Sequence, residues 1–253
     1  MVGDDDLVPV PSAGRVYRAR RRVRLGDVDP SGRLRLDALA RYLQDVSNDD
    51  THDAGLGDAG VWVVRRTVLA VHAWPRPREE LELATFCSGV GLRWAERRIS
   101  VVGEAGGHVE AATLWIHLDD AGTRPARLPA SFHAVYDEAA GGRSVTPRLT
   151  HGEPGDGVTW RPWPLRATDF DPMRHVNNAA YWAAAEELLA DGPVPGALRA
   201  EMEFRRAIEP GEAVVLGVRR GGGEGLDVAA WLAPDPTVGD VYATCTLLGR
   251  ARA

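Results

Sequence analysis

Arg24-Leu-Gly-Asp27-Val-Asp29-Pro30 recurs 142 residues later as Arg166-Ala-Thr-Asp169-Phe-Asp171-Pro172, with Arg, Asp, Asp and Pro in register. The alignment continues outward. Leu34 matches Val176, Ala38 matches Ala180, and Gln44-Asp45 match Glu186-Glu187. A short alternating run precedes each copy: Val16 to Val23 in the first, Trp160 to Leu165 in the second. A helix-like stretch follows each, Leu36 to Val46 and Asn178 to Ala190. A repeat at a fixed offset means the same supersecondary unit built twice.

Strand-like runs complete each unit. Val61 to Val71 is rich in β-branched residues, and Leu81 to Phe86 follows a Pro-Arg-Pro-Arg turn. Trp94 to Val102 and His108 to Leu118 flank Gly103-Glu-Ala-Gly-Gly107, a hairpin signal. In the second half Arg199 to Ile208, Ala213 to Val218, and a pair around Gly221–Gly225 and Pro234–Gly239 read the same way. The Gly- and Pro-rich residues 139–158 read as a linker. The expected division is 14–138, linker 139–158, and 159–253. The Asn178 to Ala190 stretch is apolar on nearly every face, so it should be buried. The expected class is α+β, with one long buried helix and several antiparallel strands per half.

Composition narrows the chemistry. All 30 basic residues are arginine, which excludes Schiff-base lysines and the P-loop lysine. The net charge of −6 argues against nucleic acid as the main partner. Cys87 and Cys245 form neither a metal-ligand spacing nor a disulfide framework, and fit a reducing cytoplasm. The N-terminal MVGDDDLVPVPSAG lacks a signal-peptide pattern, and no apolar run is long enough to span a membrane.

The sharpest motif is Asp169-Phe-Asp171-Pro-Met173-Arg-His175-Val-Asn177-Asn178-Ala-Ala-Tyr181. It resembles the D-x-D-x-x-x-H-V-N-N-x-x-Y signature of the double-hotdog acyl-acyl carrier protein thioesterases, bacterial and plant. Other stretches resemble that family in the same order: Val61 to Arg66, Thr85 to Gly89, Trp94 to Arg98, Leu114 to Asp119 with Arg124-Pro125, and Met202 to Arg206. The resemblance spans roughly residues 16–250. It implies two tandem hotdog units, each a curved antiparallel sheet around a central helix, and hydrolysis of fatty acyl thioesters on acyl carrier protein. The first unit would supply the acyl pocket and the second the catalytic motif. No cofactor or metal is implied.

Asp171 and His175 are the catalytic candidates. The carboxylate would act as base or nucleophile, and the imidazole would orient water or protonate the leaving thiolate. Backbone N–H groups near His175 and Val176, at the helix start, are candidate oxyanion donors. Asn177 and Asn178 read as helix caps or positioning groups, and Glu203 as a candidate third carboxylate. Asp169 reads as a turn or cap residue. Two departures break the plant pattern: Met173 stands where an Asn would precede the histidine, and Ala207-Ile208 replaces a Glu-Cys pair. A cysteine mechanism is therefore disfavoured. Arg33, Arg35 and Leu36 occupy the first-copy places of His175, Asn177 and Asn178, so the first site should be degenerate.

Arg18, Arg20, Arg22 and Arg24 share a strand face, read either as a solvated face or as a dock for an acidic carrier protein. Coenzyme A esters, hotdog hydratase or dehydratase chemistry, and non-enzymatic acyl binding stay as alternatives. A homodimer is compatible with the sequence.

Overall fold

The computed structural model describes residues 7–57, 60–222, 225–236 and 240–250. Residues 1–6 of the N-terminal stretch lie outside that set, as do 223–224 and 237–239 of the two second-half turns. The first half contains β1 (Tyr17–Arg22), α1 (Leu36–Asp53), β2 (Val61–Ala73), β3 (Glu80–Val90), β4 (Trp94–Gly103), β5 (His108–Leu118) and α2 (Ala130–Ala140). The second contains β6 (Thr159–Pro162), α3 (Asn178–Ala190), β7 (Ala197–Phe204), β8 (Val215–Arg220), β9 (Leu226–Ala233) and β10 (Ala243–Arg250).

All ten strands form one sheet in the order β1-β3-β4-β5-β2-β7-β10-β9-β8-β6. Read outward from the centre, the two arms match strand for strand: β2 with β7, β5 with β10, β4 with β9, β3 with β8, β1 with β6. The 142-residue repeat is thus a pseudo-two-fold whose axis passes between β2 and β7. These two pair antiparallel from Arg66↔Glu203 to Val71↔Leu198, fusing the arms through main-chain hydrogen bonds.

α1 and α3 pack together on one face of this sheet. α1 buries Leu36, Leu39, Leu43 and Val46, an i, i+3, i+7, i+10 stripe. α3 buries Ala179, Tyr181, Trp182, Ala184, Ala185, Leu188 and Leu189, and its alanines admit close neighbours. A single apolar core contains both helices and inward residues from both arms, including Leu69, Ile99, Ala200 and Leu247. The two halves share one interior.

The opposite face carries two features. α2 packs Phe132, Tyr136 and Ala140 against Cys87 and Ala95. The linker then crosses the sheet, held by Trp94 Nε1 donating to Val145 O at 2.8 Å and Trp231 Nε1 donating to Gly152 O at 2.9 Å. Gly89 is required beneath it, because a Cβ there would meet Val145 Cγ1 at 2.5 Å. No described helix is long and apolar enough to cross a membrane.

Candidate active site

Each repeat folds as a tight loop that delivers the chain into a helix N-terminus. In the second copy Asp171 N–H donates to His175 O at 2.9 Å, and Arg174 N–H to Asp171 O at 2.9 Å. Asp171 Oδ1 accepts from Met173 N–H at 2.9 Å and His175 N–H at 3.3 Å. Arg174 is held at φ +64°, where its first-copy counterpart is Gly32 at φ +78°. A bulky residue in the left-handed region stores strain in this loop. Asp169 is buried and accepts from Arg166 N–H at 2.8 Å and the Arg166 guanidinium at 2.8 Å, closing a 3₁₀ turn. Asn177 is the N-cap of α3, its Oδ1 accepting from Ala179 N–H at 2.9 Å.

The helix start offers fewer donors than the sequence suggests. His175 N–H is spent on Asp171, and Val176 N–H donates to Ile208 O at 2.9 Å. Ala179 and Ala180 N–H both go to Asn177. The donor left without a partner among the described residues is Asn178 N–H, the first amide of α3, where the helix dipole is most positive. Of the amides at the helix start, the one free to donate to an oxyanion is therefore that of Asn178 rather than those of His175 and Val176.

The first copy shows what this position does when filled. Leu36 N–H, the counterpart of Asn178 N–H, donates to Glu186 Oε2 at 2.9 Å. Arg33, in the place of His175 and only 3% exposed, binds Glu186 through both terminal guanidinium nitrogens and Asp29 Oδ2 through Nε at 3.0 Å. Asp29 Oδ1 accepts from Ser31 and Arg33 N–H, each at 2.9 Å. Burial opposes ionisation of Asp29, yet hydrogen bonds from Arg33 and Ser31 outweigh it and hold the carboxyl below the usual range. Asp29, Arg33, Glu186 and Leu36 therefore form a closed chain in which a carboxylate occupies the helix N-terminus. In the second copy Asp171 Oδ2 has no hydrogen-bond partner among the described residues, and Asn178 N–H is open.

The pseudo-two-fold that brings Glu186 to the first loop brings Gln44 to the second. Gln44, Ala40, Leu43 and Ser47 of α1 line a cavity of about 30 Å³ with Asn178, Ala179 and Trp182 of α3. Val64, Thr67, Thr113, Trp115 and Phe204 complete it from the sheet. A larger cavity of about 200 Å³ lies on the other flank of α3, lined by second-half residues such as Trp163, Leu165, Tyr181, Glu187 and Leu232. Asp171, His175 and Asn178 do not line that cavity.

Glu203 is not brought to Asp171. Met202 and Phe204 face α3, with Phe204 edge-on to Tyr181, so strand alternation turns Glu203 to the opposite face. There it accepts from Thr150 and His151 N–H and anchors the linker. His151, Glu201 and Glu203 bring ligand atoms within 4.8 Å of one another and have the donor chemistry for a cation. Thr244 and Thr246 already engage the His151 ring, at 2.8 and 3.3 Å. Ile208 is buried, and burial pushes the Cys87 thiol up to about 11 and the Cys245 thiol higher still. Both sulfurs are neutral near pH 7, which removes them as nucleophiles.

The exposed arginines of β1 are paired with two glutamates across the strand pair. Arg18 pairs with Glu82 at 2.7 Å, and Arg20 and Arg22 with Glu80 at 3.6 and 3.2 Å.

Comparison with known proteins agrees with this architecture. The chain is 34% identical over 212 residues, 83% of its length, to an uncharacterised protein of Mycobacterium tuberculosis, of which it covers 85%. It superposes on the 12:0-ACP thioesterase of Umbellularia californica with TM-score 0.76 at 17% identity, covering 94% of each chain. It also superposes on a Lactobacillus plantarum protein assigned as an oleoyl thioesterase, with TM-score 0.79 at 19% identity, covering 96% of this chain and 100% of that one. Fold and repeat define a double hotdog, and the thioester hydrolase class comes from a family match. The model of the acyl-ACP thioesterase N-terminal domain matches residues 14–136, and the chain belongs to the acyl-ACP thioesterase family.

Proposed function

We propose that the protein hydrolyses fatty acyl thioesters on acyl carrier protein, releasing free fatty acid, at one working site per chain built on Asp171, His175 and Asn178. The observation that carries this reading is the contrast between copies. The first helix N-terminus is plugged by Glu186, whereas the second presents an open amide beside a carboxylate with a free oxygen.

In this reading the thioester carbonyl oxygen sits at Asn178 N–H. Asp171 Oδ2 takes a proton from a water as that water attacks the carbonyl carbon. The oxyanion is stabilised by the Asn178 amide and the α3 dipole, a donor whose loss typically costs about 10²–10³ in rate. On collapse the C–S bond breaks, His175 gives a proton to the departing thiolate, and exchange with solvent then removes the proton from Asp171 and returns one to His175. The products are a carboxylic acid and the carrier thiol. Asn178 also lines the small interface cavity, so the first atoms of the acyl chain, next to the carbonyl, would lie beside α1, β2 and β5 of the first half. The larger cavity lacks the reacting groups.

Turnover measured over acyl carrier protein and coenzyme A thioesters of graded length tests the reading. Preference for the carrier-protein form supports it, and equal or greater kcat/KM on coenzyme A esters contradicts the carrier assignment. Within the loop, His175→Ala should lower kcat by about tenfold or more through loss of acid–base assistance. Met173, whose side chain is exposed, should tolerate Ala within about twofold in the same steady-state assay.

A further inference from the structure

Two buried polar atoms have no partner at the same cavity. Gln44 Oε1, an acceptor, and Trp115 Nε1, a donor, are both solvent-shielded and without a hydrogen bond, and both residues line the space beside Asn178. Buried polar groups are normally paired, and leaving one unpaired is costly. The neighbouring hydroxyls do not serve them. Thr67 and Thr113 face each other at 3.3 Å, and Ser47 Oγ donates to Leu43 O at 2.7 Å. In the first copy the place of Gln44 is taken by Glu186, whose carboxylate is fully engaged by Arg33 and Leu36. Among the described residues the unpaired acceptor at this helix position therefore belongs to the open copy.

We propose that this cavity is a hydroxyl-binding subsite, taking one O–H that donates to Gln44 Oε1 and accepts from Trp115 Nε1. The chemistry follows from the pair. A carbonyl oxygen could accept from Trp115 but offers Gln44 nothing, and a methylene satisfies neither, whereas a hydroxyl oxygen satisfies both. At about 30 Å³ the space suits a single oxygen atom. Two sources supply that group: a water retained beside a plain alkyl chain, or an alcohol on the substrate itself. Asn178 lines the same cavity, so a substrate hydroxyl would stand close to the thioester carbon, as in a 3-hydroxyacyl chain. This assignment rests on the placing of the thioester at Asn178 proposed above.

The test compares acyl, 3-hydroxyacyl and 3-oxoacyl carrier-protein thioesters of equal length on the wild type, Gln44→Met and Trp115→Phe, with folding checked by circular dichroism. A substrate hydroxyl predicts a wild-type kcat/KM at least about tenfold higher for the 3-hydroxy chain, since sites built to bond a hydroxyl reject analogues lacking it. That ratio should fall toward one in both variants. A retained water predicts equal wild-type rates on plain and hydroxylated chains, with kcat for both reduced about tenfold in Gln44→Met. Wild-type kinetics in both variants would overturn the subsite, and so would a preference for the 3-oxo chain. Calorimetric binding of a non-hydrolysable 3-hydroxyacyl thioether of pantetheine separates this inference from the hydrolytic reading. If no thioester is cleaved yet the thioether binds the wild type at least tenfold more tightly than Gln44→Met, the subsite stands and the hydrolase assignment falls.

Discussion

Asp171→Asn is expected to lower kcat by about 10² or more while leaving the fold intact, the loss typical of a missing general base. Asparagine keeps an oxygen where Oδ1 accepts the Met173 and His175 amides, so the loop stays closed. It removes the negative charge, and with it the proton acceptor. Asp171→Ala should be as inactive and also less stable, because two loop amides lose their acceptor. Comparing the two variants separates chemistry from architecture. This matters because Asp29 performs the same architectural task in the first copy without being placed to catalyse. Turnover within a few-fold of wild type in Asp171→Asn would remove the carboxylate from the mechanism.

The largest stability effect should come from a residue far from that loop. Asp50 of α1 is fully buried and joins four segments. It accepts from Arg15 Nε at 2.7 Å and from Tyr136 Oη of α2 at 2.8 Å, and it pairs with Arg97 of β4. Asp50→Ala would strand the Arg97 guanidinium, itself only 9% exposed, without its carboxylate. Removing one partner of a buried pair costs about 3–5 kcal/mol. For a chain of this size that corresponds to a fall in Tm on the order of 10 °C. Chemical denaturation should show the same loss, with kcat of the folded fraction little changed. A Tm within 2 °C of wild type would show that the network contributes little.

The pseudo-two-fold was legible because four residues of the loop recur in register and the helices that follow align. The extent of α1 was less so. Its apolar stripe fades after Val46, yet the helix continues to Asp53 because Ser47 bonds back to Leu43 O and Asp50 is paired with arginines. A buried polar network leaves no hydrophobic period to read. α2 carries a fainter signal, Phe132, Tyr136 and Ala140 at i, i+4, i+8 after Pro129.

Within the candidate site, Asp171 and His175 are proposed from the motif, and the cap role of Asn177 follows from helix chemistry. The closure of the first copy by Arg33 and Glu186 depends on residues 153 apart, a contact no local pattern reports. The alignment of Gln44 with Glu186 was the one clue, and it becomes meaningful only once the two helices pack together. Glu203 misleads in sequence because its neighbours match the family. Its alternation with Met202 and Phe204, which face the core, turns it to the other side of the sheet.

One working site per chain is the claim on which the rest depends, and calorimetric titration with a non-hydrolysable acyl thioether analogue, set beside turnover of the two aspartate variants, tests it most directly. Binding should saturate at one equivalent per chain, and turnover should be lost in Asp171→Asn and persist in Asp29→Asn, whose cost should appear in Tm instead. Two equivalents per chain, or turnover lost in Asp29→Asn as fully as in Asp171→Asn, would contradict the account.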